Sequence, residues 1–512
     1  MQDIPMSVEF VAACLLALAI ISWVARILSP AQKLSNCIPG PKSPSWTYGN
    51  LIDLLLTKEY GEHEFKWQET YGPVYSIKAC FGESRLMISD PLTAKFILHN
   101  HLFAHGASQQ KAVNSLFGSG NIFLARGDYH RHLRSILNPS FSSQSVRRML
   151  PMFKDIGAKL VDRWESLGYP GTTVDITQTL HDASLDLISE AIFEHPFNSL
   201  TGQSDMASIQ RTLIDTVSSV SKFSQLVDAC LPYIPDFIFN FSLRLPIPAI
   251  RVLQEYRKAT NELGRQLIQQ TPSRDASSEK DETFIGLLNK TNAAATTMTD
   301  EKVGVHIRTI LMAGDDTTIL YRLAKAPAFQ QALREEIQLA GANGGDNIEY
   351  DNMPLLNALI NETLRLYPAL PFAERVAEQD CVLPLSRPIT TTTGIQITEM
   401  PIQKGQATYV AIASYNRLTS LWGPDAGEFR PSRWLEEQPC KGSAIGPHAS
   451  LLSFLAGPAV LLEMQVLVTE IVPKFVLTLP PDDSAKPCFG LTLVPRTADG
   501  VQQIPIHIEH VA

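Results

Sequence analysis

The sequence predicts a mostly α-helical chain with a small β region, α+β in the loose sense. Residues 143–310 are dominated by helical apolar spacing, and Leu180, Ala183, Leu185, Leu187, Ile188, Ala191 and Ile192 mark a broad stripe. Arg375 to Tyr409 is instead rich in Thr, Val, Ile, Pro and Gly, as short strands and turns require. The composition, 45% hydrophobic and 19% charged over 512 residues, is that of a globular protein rather than a disordered one. Within the helical part, Val174-Asp175-Ile176 reads as a short β-like entry and the polar run Gln270–Asp281 as a surface loop.

Charge and cysteine usage narrow the function. The formal net charge of -9 argues against a nucleic-acid partner. The seven cysteines, Cys14, Cys37, Cys80, Cys230, Cys381, Cys440 and Cys488, are scattered, odd in number and without a CxxC pair. That pattern argues against a disulfide scaffold or a zinc site and fits small buried side chains.

Val8 to Leu28 is apolar apart from Glu9 and Arg26. At about 1.5 Å per residue it covers a hydrocarbon core of about 30 Å. Trp23 suits an interface, and Arg26, Lys33 and Lys42 follow the segment, so the positive-inside rule puts the bulk of the chain in the cytoplasm. A cleaved signal peptide needs a basic start, but Met1 to Ser7 carries only Asp3, and Ala25-Arg26-Ile27-Leu28 offers no small-residue cleavage site. The expected order is a short lumenal N-terminus (1–7), a transmembrane anchor (8–28), a proline-rich linker (29–46) and one catalytic domain (47–512). The linker carries Ile38-Pro39-Gly40-Pro41 and Ser43-Pro44-Ser45-Trp46, and reads either as a stiff spacer or as a plain loop.

Three constellations bear chemistry. Ala313-Gly314-Asp315-Asp316-Thr317-Thr318 follows an apolar helical run; an acid beside an alcohol in mid-helix can relay protons, although a helix end with caps reads the same way. Glu362 and Arg365 share one helical face among apolar neighbours, which favours a shielded pair with Arg433 as a further partner over a surface ion pair. His130 and Arg134, four apart, can hold a carboxylate, or else form a solvated basic face.

In this order the three motifs resemble the cytochrome P-450 family. Ala313–Thr318 resembles its central-helix motif, Glu362 and Arg365 its ExxR pair, and Pro431 and Arg433 its PxRx element. Gly127 to Arg134 is similar to its helix C pattern, with His130 where Trp is usual. The resemblance runs from the proline linker to the C-terminus and looks most like a fungal, basidiomycete-type microsomal member. It implies the cytochrome P-450 fold with an N-terminal transmembrane helix, haem b as cofactor, and electrons from NADPH through a reductase. It implies a monooxygenase that inserts one oxygen atom into an apolar small molecule (a secondary metabolite, lipid, terpenoid or aromatic) at the endoplasmic reticulum membrane. By resemblance, Asp316 and Thr317 handle protons, His130, Arg134 and Arg375 face the haem propionates, and Glu362, Arg365 and Arg433 form a structural triad. Phe454 and Gly457 open the haem loop, and residues 114–121 contact substrate.

The sequence departs from the family in two places. The signature loop Phe-x-x-Gly-x-Arg-x-Cys-x-Gly begins at Phe454-Leu455-Ala456-Gly457-Pro458, then passes directly to Ala459-Val460-Leu461-Leu462-Glu463-Met464, which resembles the middle of the following helix. The axial cysteine, whose thiolate promotes O–O cleavage, is missing, and no cysteine occurs beyond this point until Cys488. After Thr318 about two helical turns are also missing, a shortening of about 10 Å that nearly keeps the facing of the residues beyond. Clean gaps between good matches are expected of skipped exons or exon-boundary errors rather than of gradual decay. The alternative to an enzyme is a catalytically inactive membrane-bound relative, or a truncated splice form, unable to ligate iron through cysteine.

Overall fold

The computed structural model describes residues 37–167, 172–270, 300–311, 317–344, 348–437, 440, 445–446, 448–453, 458–490 and 492–511. The 8–28 segment, Asp316, Phe454 and Gly457 lie outside these residues, and of Thr317 only the backbone is described. Among the described residues no helix is long and apolar enough to cross a membrane.

The principal helices are α1 (Ala107–Phe117), α2 (Gly127–Leu137), α3 (Leu150–Ser166), α4 (Ile176–Phe193), α5 (Asp205–Val217), α6 (Pro248–Gln270), α7 (Asp300–Leu311), α8 (Thr317–Ala324), α9 (Pro327–Gly344), α10 (Pro354–Leu366) and α11 (Pro458–Ile471). The strands are β1 (Val74–Lys78), β2 (Ser84–Ile88), β3 (Phe103–Ala104), β4 (Thr172–Asp175), β5 (Phe372–Ala377), β6 (Cys381–Thr390), β7 (Gln396–Ile402), β8 (Ala407–Ala411), β9 (Phe475–Thr478), β10 (Lys486–Phe489), β11 (Leu493–Arg496) and β12 (Pro505–His510). The helix-rich prediction with a β-rich 375–409 region holds, but the β content extends further. Tyr75 and Ile77 of β1, Met87 of β2 and Tyr409 of β8 share one buried face, in a five-stranded sheet ordered β1-β2-β8-β5-β3.

The stripe on α4 is wider than periodicity suggests. Besides Leu180, Ala183, Leu185 and Leu187, the polar Asp182, Ser184, Asp186 and Ser189 are buried. Asp186 accepts hydrogen bonds from the backbone N–H groups of Ser199 (2.7 Å) and Leu200 (3.1 Å), so a buried carboxylate fixes the turn after the helix. The β-like Val174 pairs with Ile506 of β12, and Asp175 caps α4 by accepting from the Thr177 N–H.

The main core joins α3, α4, α8, α10 and α11 with β9 and β12, around Trp164, Leu180, Leu320, Leu356, Val466 and Phe475. Burying each such large apolar side chain contributes about 1.5–3 kcal/mol. The short helix α8 takes full part: Ile319, Leu320, Leu323 and Ala324 are buried in it. The sequence after Thr318 therefore seats in the core.

The linker is fastened rather than free over its described part. The Ser76 N–H donates to the Pro39 carbonyl (2.9 Å), and Ile38 is buried. A Cβ on Gly40 would lie 1.8 Å from the Ser76 carbonyl oxygen, so only glycine allows this approach. Asn50 ties the next stretch down, donating to the Lys42 carbonyl (3.0 Å) and accepting from the Lys78 N–H (2.9 Å).

Candidate functional site

Helix α10 carries Glu362 and Arg365 one turn apart, and both are wholly buried, with side-chain exposure of 0%. The pair is bidentate: Arg365 Nε donates to Glu362 Oε2 and Nη2 to Oε1, each at 2.9 Å. The guanidinium spends its remaining donors on the carbonyls of Asn416 (2.8 Å), Ala426 (2.5 Å) and Glu428 (3.0 Å). Glu362 also accepts from the Arg430 N–H (2.8 Å) and from Trp434 Nε1 (3.0 Å). Burial pushes the Glu362 pKa up, but the hydrogen bonds and charge of Arg365, with those two donors, hold it below the ordinary glutamate value.

The structure assembles Glu362, Arg365 and Arg433, with one change of emphasis. Arg433 Nε stands 3.6 Å from Glu362 Oε1, a charge contact beyond hydrogen-bond reach. Its shorter contacts go to Asp425 Oδ1 and Oδ2 (each 3.1 Å), the Asp425 carbonyl (3.0 Å) and the Trp422 carbonyl (2.7 Å). Asp425 and Trp434 thus belong to the network, although sequence reasoning gave neither a role. The signal was present in Gly423-Pro424-Asp425-Ala426, which places a carboxylate a few residues before Arg433.

In front of α10 lies a cavity of about 2320 Å³, well beyond the roughly 1,000 Å³ upper range of ordinary ligand pockets. Leu116, Phe117, Ile310, Leu364 and Val460 supply apolar wall. The predicted substrate-contact stretch 114–121 therefore does reach it, through the end of α1. His130 and Arg134 of α2 line the cavity together with Arg375 of β5. His130 and Arg375 are half-buried, whereas Arg134 is exposed. Neither Arg134 nor Arg375 makes an ion pair among the described residues. By contrast, Arg126 at the same end is paired with Glu378 at 2.9 Å.

Two further cavity residues escaped the sequence reading. His105, after β3, places Nδ1 3.4 Å from Arg375 Nη1 and 2.8 Å from Gln109 Oε1. Burial first, then the charge of Arg375, lowers its pKa and keeps the ring neutral at pH 7. Glu463 of α11 is a buried carboxyl at the cavity wall, and its Oε1 has no hydrogen-bond partner among the described residues. Burial pushes its pKa up to about 7, with Ser184 working in the opposite direction. A lone imidazole and a glutamate in an apolar helix have no sequence signal strong enough to single them out.

The haem implied by the resemblance fits this site in part. A large, mainly apolar cavity lined by His130, Arg134 and Arg375 suits a planar apolar body carrying carboxylates. A sulfur ligand for iron is another matter: none of the cysteines among the described residues lines the cavity. The Cys488 thiol lies 3.4 Å from the Lys58 carbonyl, and Cys440 packs at the edge of the apolar cluster that holds Trp422 and Ile445. Burial raises the pKa of both, so each is held as a thiol rather than a thiolate. Three or more potential ligands do not cluster anywhere among the described residues. Among the described residues no thiol is placed to bind iron in the cavity.

Comparison with known proteins agrees with the motifs. A family model described as Cytochrome P450 matches residues 39–502. "Cytochrome P450 monooxygenase claP" of Ampulloclitocybe clavipes is 30% identical over 477 residues, covering 88% of this chain and 87% of the relative. "Cytochrome P450 monooxygenase 205" of Postia placenta is 29% identical over 532 residues, covering 96% of each. The family works with haem and draws electrons from NADPH through a reductase, as the resemblance implied. A match over nearly the whole chain, the buried Glu362–Arg365 pair with Arg433 behind it, and the cationic apolar cavity in front lead to one conclusion: this chain belongs to the cytochrome P450 family.

Proposed function

We propose that the gene specifies a haem-dependent monooxygenase that inserts one oxygen atom into an apolar small molecule, with electrons from NADPH by way of a reductase. The observation that carries this reading is the apolar cavity lined by His130, Arg134 and Arg375, in a chain of this family. The cations hold carboxylates at one end, and the apolar walls exclude water and orient a substrate by shape. By the family resemblance, Asp316 and Thr317 move protons, and Phe454 and Gly457 open the loop that should wrap the axial ligand. The relatives carry the word monooxygenase in their names, which supports the oxygen insertion, and the apolar cavity walls suit a secondary metabolite, lipid, terpenoid or aromatic as substrate. The 8–28 segment anchors the protein in the endoplasmic reticulum membrane, with the linker and domain 47–512 on the cytoplasmic side.

A second reading applies to the polypeptide as it stands: a relative without oxygen chemistry. It is favoured by the direct passage from Gly457-Pro458 into α11 and by the lack of a cysteine along the cavity wall among the described residues. The experiment that separates the two is restoration. An Arg-x-Cys-x-Gly segment is inserted after Pro458, together with the missing turns after Thr318. The restored chain is expected to give the thiolate-type Soret band when reduced under carbon monoxide, and turnover with NADPH and reductase. A folded, haem-loaded restored chain with neither would overturn the monooxygenase reading.

A further inference from the structure

We infer that the apolar small molecule taken by this chain is a carboxylic acid, and that Arg322 recognises its acid group at a place separate from His130, Arg134 and Arg375. The inference rests on the proposed reading only in taking the cavity as a small-molecule site.

Arg322 stands on α8 and lines the cavity. Its guanidinium carbon lies 4.7 Å from the centre of the Tyr367 ring and 5.1 Å from that of Phe429. The rings hold the group in place, but they supply no counter-charge and no acceptor. Among the described residues the guanidinium makes no ion pair, and its Nε is sealed from solvent without a hydrogen-bond partner. Burial lowers its pKa, as expected of a cation partly stripped of water. With Nε shut in, the two Nη groups are the donors left for the cavity, and side by side they match the two oxygens of a carboxylate.

The charges around Arg322 leave it as the surplus. Lys325, Lys486, Asp483 and Glu59 line the same cavity. Lys486 is paired with Glu59 at 2.9 Å, and Lys325 stands 3.7 Å from Asp483. Asp483 also accepts from the Tyr321 hydroxyl at 2.9 Å. Three cations thus face two carboxylates, and the cation without a carboxylate of its own is Arg322. Its surroundings are not those of Arg375: the charge of Glu59 acts on Arg322, whereas those of Arg126 and Glu374 act on Arg375. Leu370, Phe372 and Val494 add apolar wall. One acid group on an apolar body meets both the single free fork and the wall beside it, and a charge-assisted, bidentate contact there discriminates an acid from a neutral molecule of the same shape.

The test titrates the full chain with 1-pyrenebutanoic acid and with its primary amide, which has the same size and no charge, following pyrene fluorescence. The acid is expected to bind about tenfold more tightly than the amide. Arg322→Gln should weaken the acid by about tenfold and leave the amide within about twofold, which also shows that the cavity is intact. Arg322→Lys keeps the charge and loses the fork, so its acid affinity should fall between, and it serves where the glutamine variant does not fold. Equal binding of acid and amide by the unmodified chain would overturn the inference. So would an acid preference that survives Arg322→Gln, or one lost in Arg375→Gln and kept in Arg322→Gln, which would place the acid at the other cations. Those results leave the monooxygenase reading standing, because that reading is tested by the spectrum and turnover of the restored chain.

Discussion

Arg433 meets Glu362 at 3.6 Å but Asp425 at 3.1 Å through two of its nitrogens, so one buried guanidinium bridges two carboxylates that differ in exposure. Glu362 is sealed, whereas Asp425 remains 26% exposed at the side chain. Arg365 is therefore the nearer counter-charge of Glu362, and Arg433 ties the pair to the loop after Trp422.

That division of labour orders the effects of mutation. Arg365→Ala leaves Glu362 buried without its bidentate partner and should cost about 3–5 kcal/mol. Arg433→Ala should cost less, because Glu362 keeps Arg365, Trp434 and the Arg430 N–H. Thermal melts of both variants beside a surface control such as Arg131→Ala check the order. Equal, small shifts for all three would contradict the buried-network account.

Glu362 and Glu463 respond to pH in opposite senses. Glu362 has a lowered pKa, so its contribution to stability is present above the ordinary glutamate value and is lost as pH falls through its folded value. Glu463 has a pKa raised to about 7, so folding keeps a proton that the unfolded chain would release. Its burden on stability is absent below about pH 4.5 and grows as pH rises to about 7, reaching up to about 3 kcal/mol. Glu463→Gln should accordingly raise the melting temperature at pH 8 and change it little at pH 4.5. A stabilisation that is the same at both pH values would show that the carboxyl is already ionised in the folded state.

The contrast between these two glutamates also shows what a sequence discloses. Glu362 was legible because Arg365 stands at helical spacing from it among apolar neighbours, and because Arg433 sits in a second recognisable segment. Glu463 was not, since its burial depends on where α11 packs against α4, a long-range contact that no local pattern encodes. His105 was missed for the same reason: its partner Arg375 lies 270 positions away, brought near by the antiparallel pairing of β3 with β5. Strands β1 and β2 were overlooked because Val74–Lys78 and Ser84–Ile88 are buried along nearly their whole length, without the alternation that marks a half-exposed strand. The linker's attachment to β1 was equally hidden, because it turns on backbone proximity at Gly40.

Removing Met1 to Pro30 should release the protein from membranes, at least in part. The motive is the Val8–Leu28 run with Arg26, Lys33 and Lys42 at and beyond its end. The described part of the chain begins after it, and its first residues already bind to the sheet through Pro39 and Ile38, so the deletion stops short of the packed domain. Sedimentation with membranes at high salt compares the two chains. Identical pelleting of the deleted and full-length forms would exclude a single N-terminal anchor.

The thiols of this chain should stay off the iron. The unmodified chain, reduced and exposed to carbon monoxide in the presence of haem, should lack the thiolate-type Soret band, which depends on an axial cysteine thiolate. Cys440→Ser and Cys488→Ser should leave its haem spectrum unchanged. Cys488 lies in β10, paired with β11 and directed at the Lys58 carbonyl, so reaching the cavity would require breaking that strand pair. Cys440 packs against the core that holds Trp422 and Ile445, and burial keeps its sulfur protonated. A thiol in that state is a poor iron ligand, and lowering its pKa would need a neighbouring cation. Arg365 and Arg433 do not provide one, because Arg365 is committed to Glu362 and Arg433 to Asp425. A spectral change on either substitution would mean that the chain rearranges to bring that sulfur to the metal. Comparing the two single variants would then identify which cysteine serves, since only the serving one alters the spectrum when changed alone.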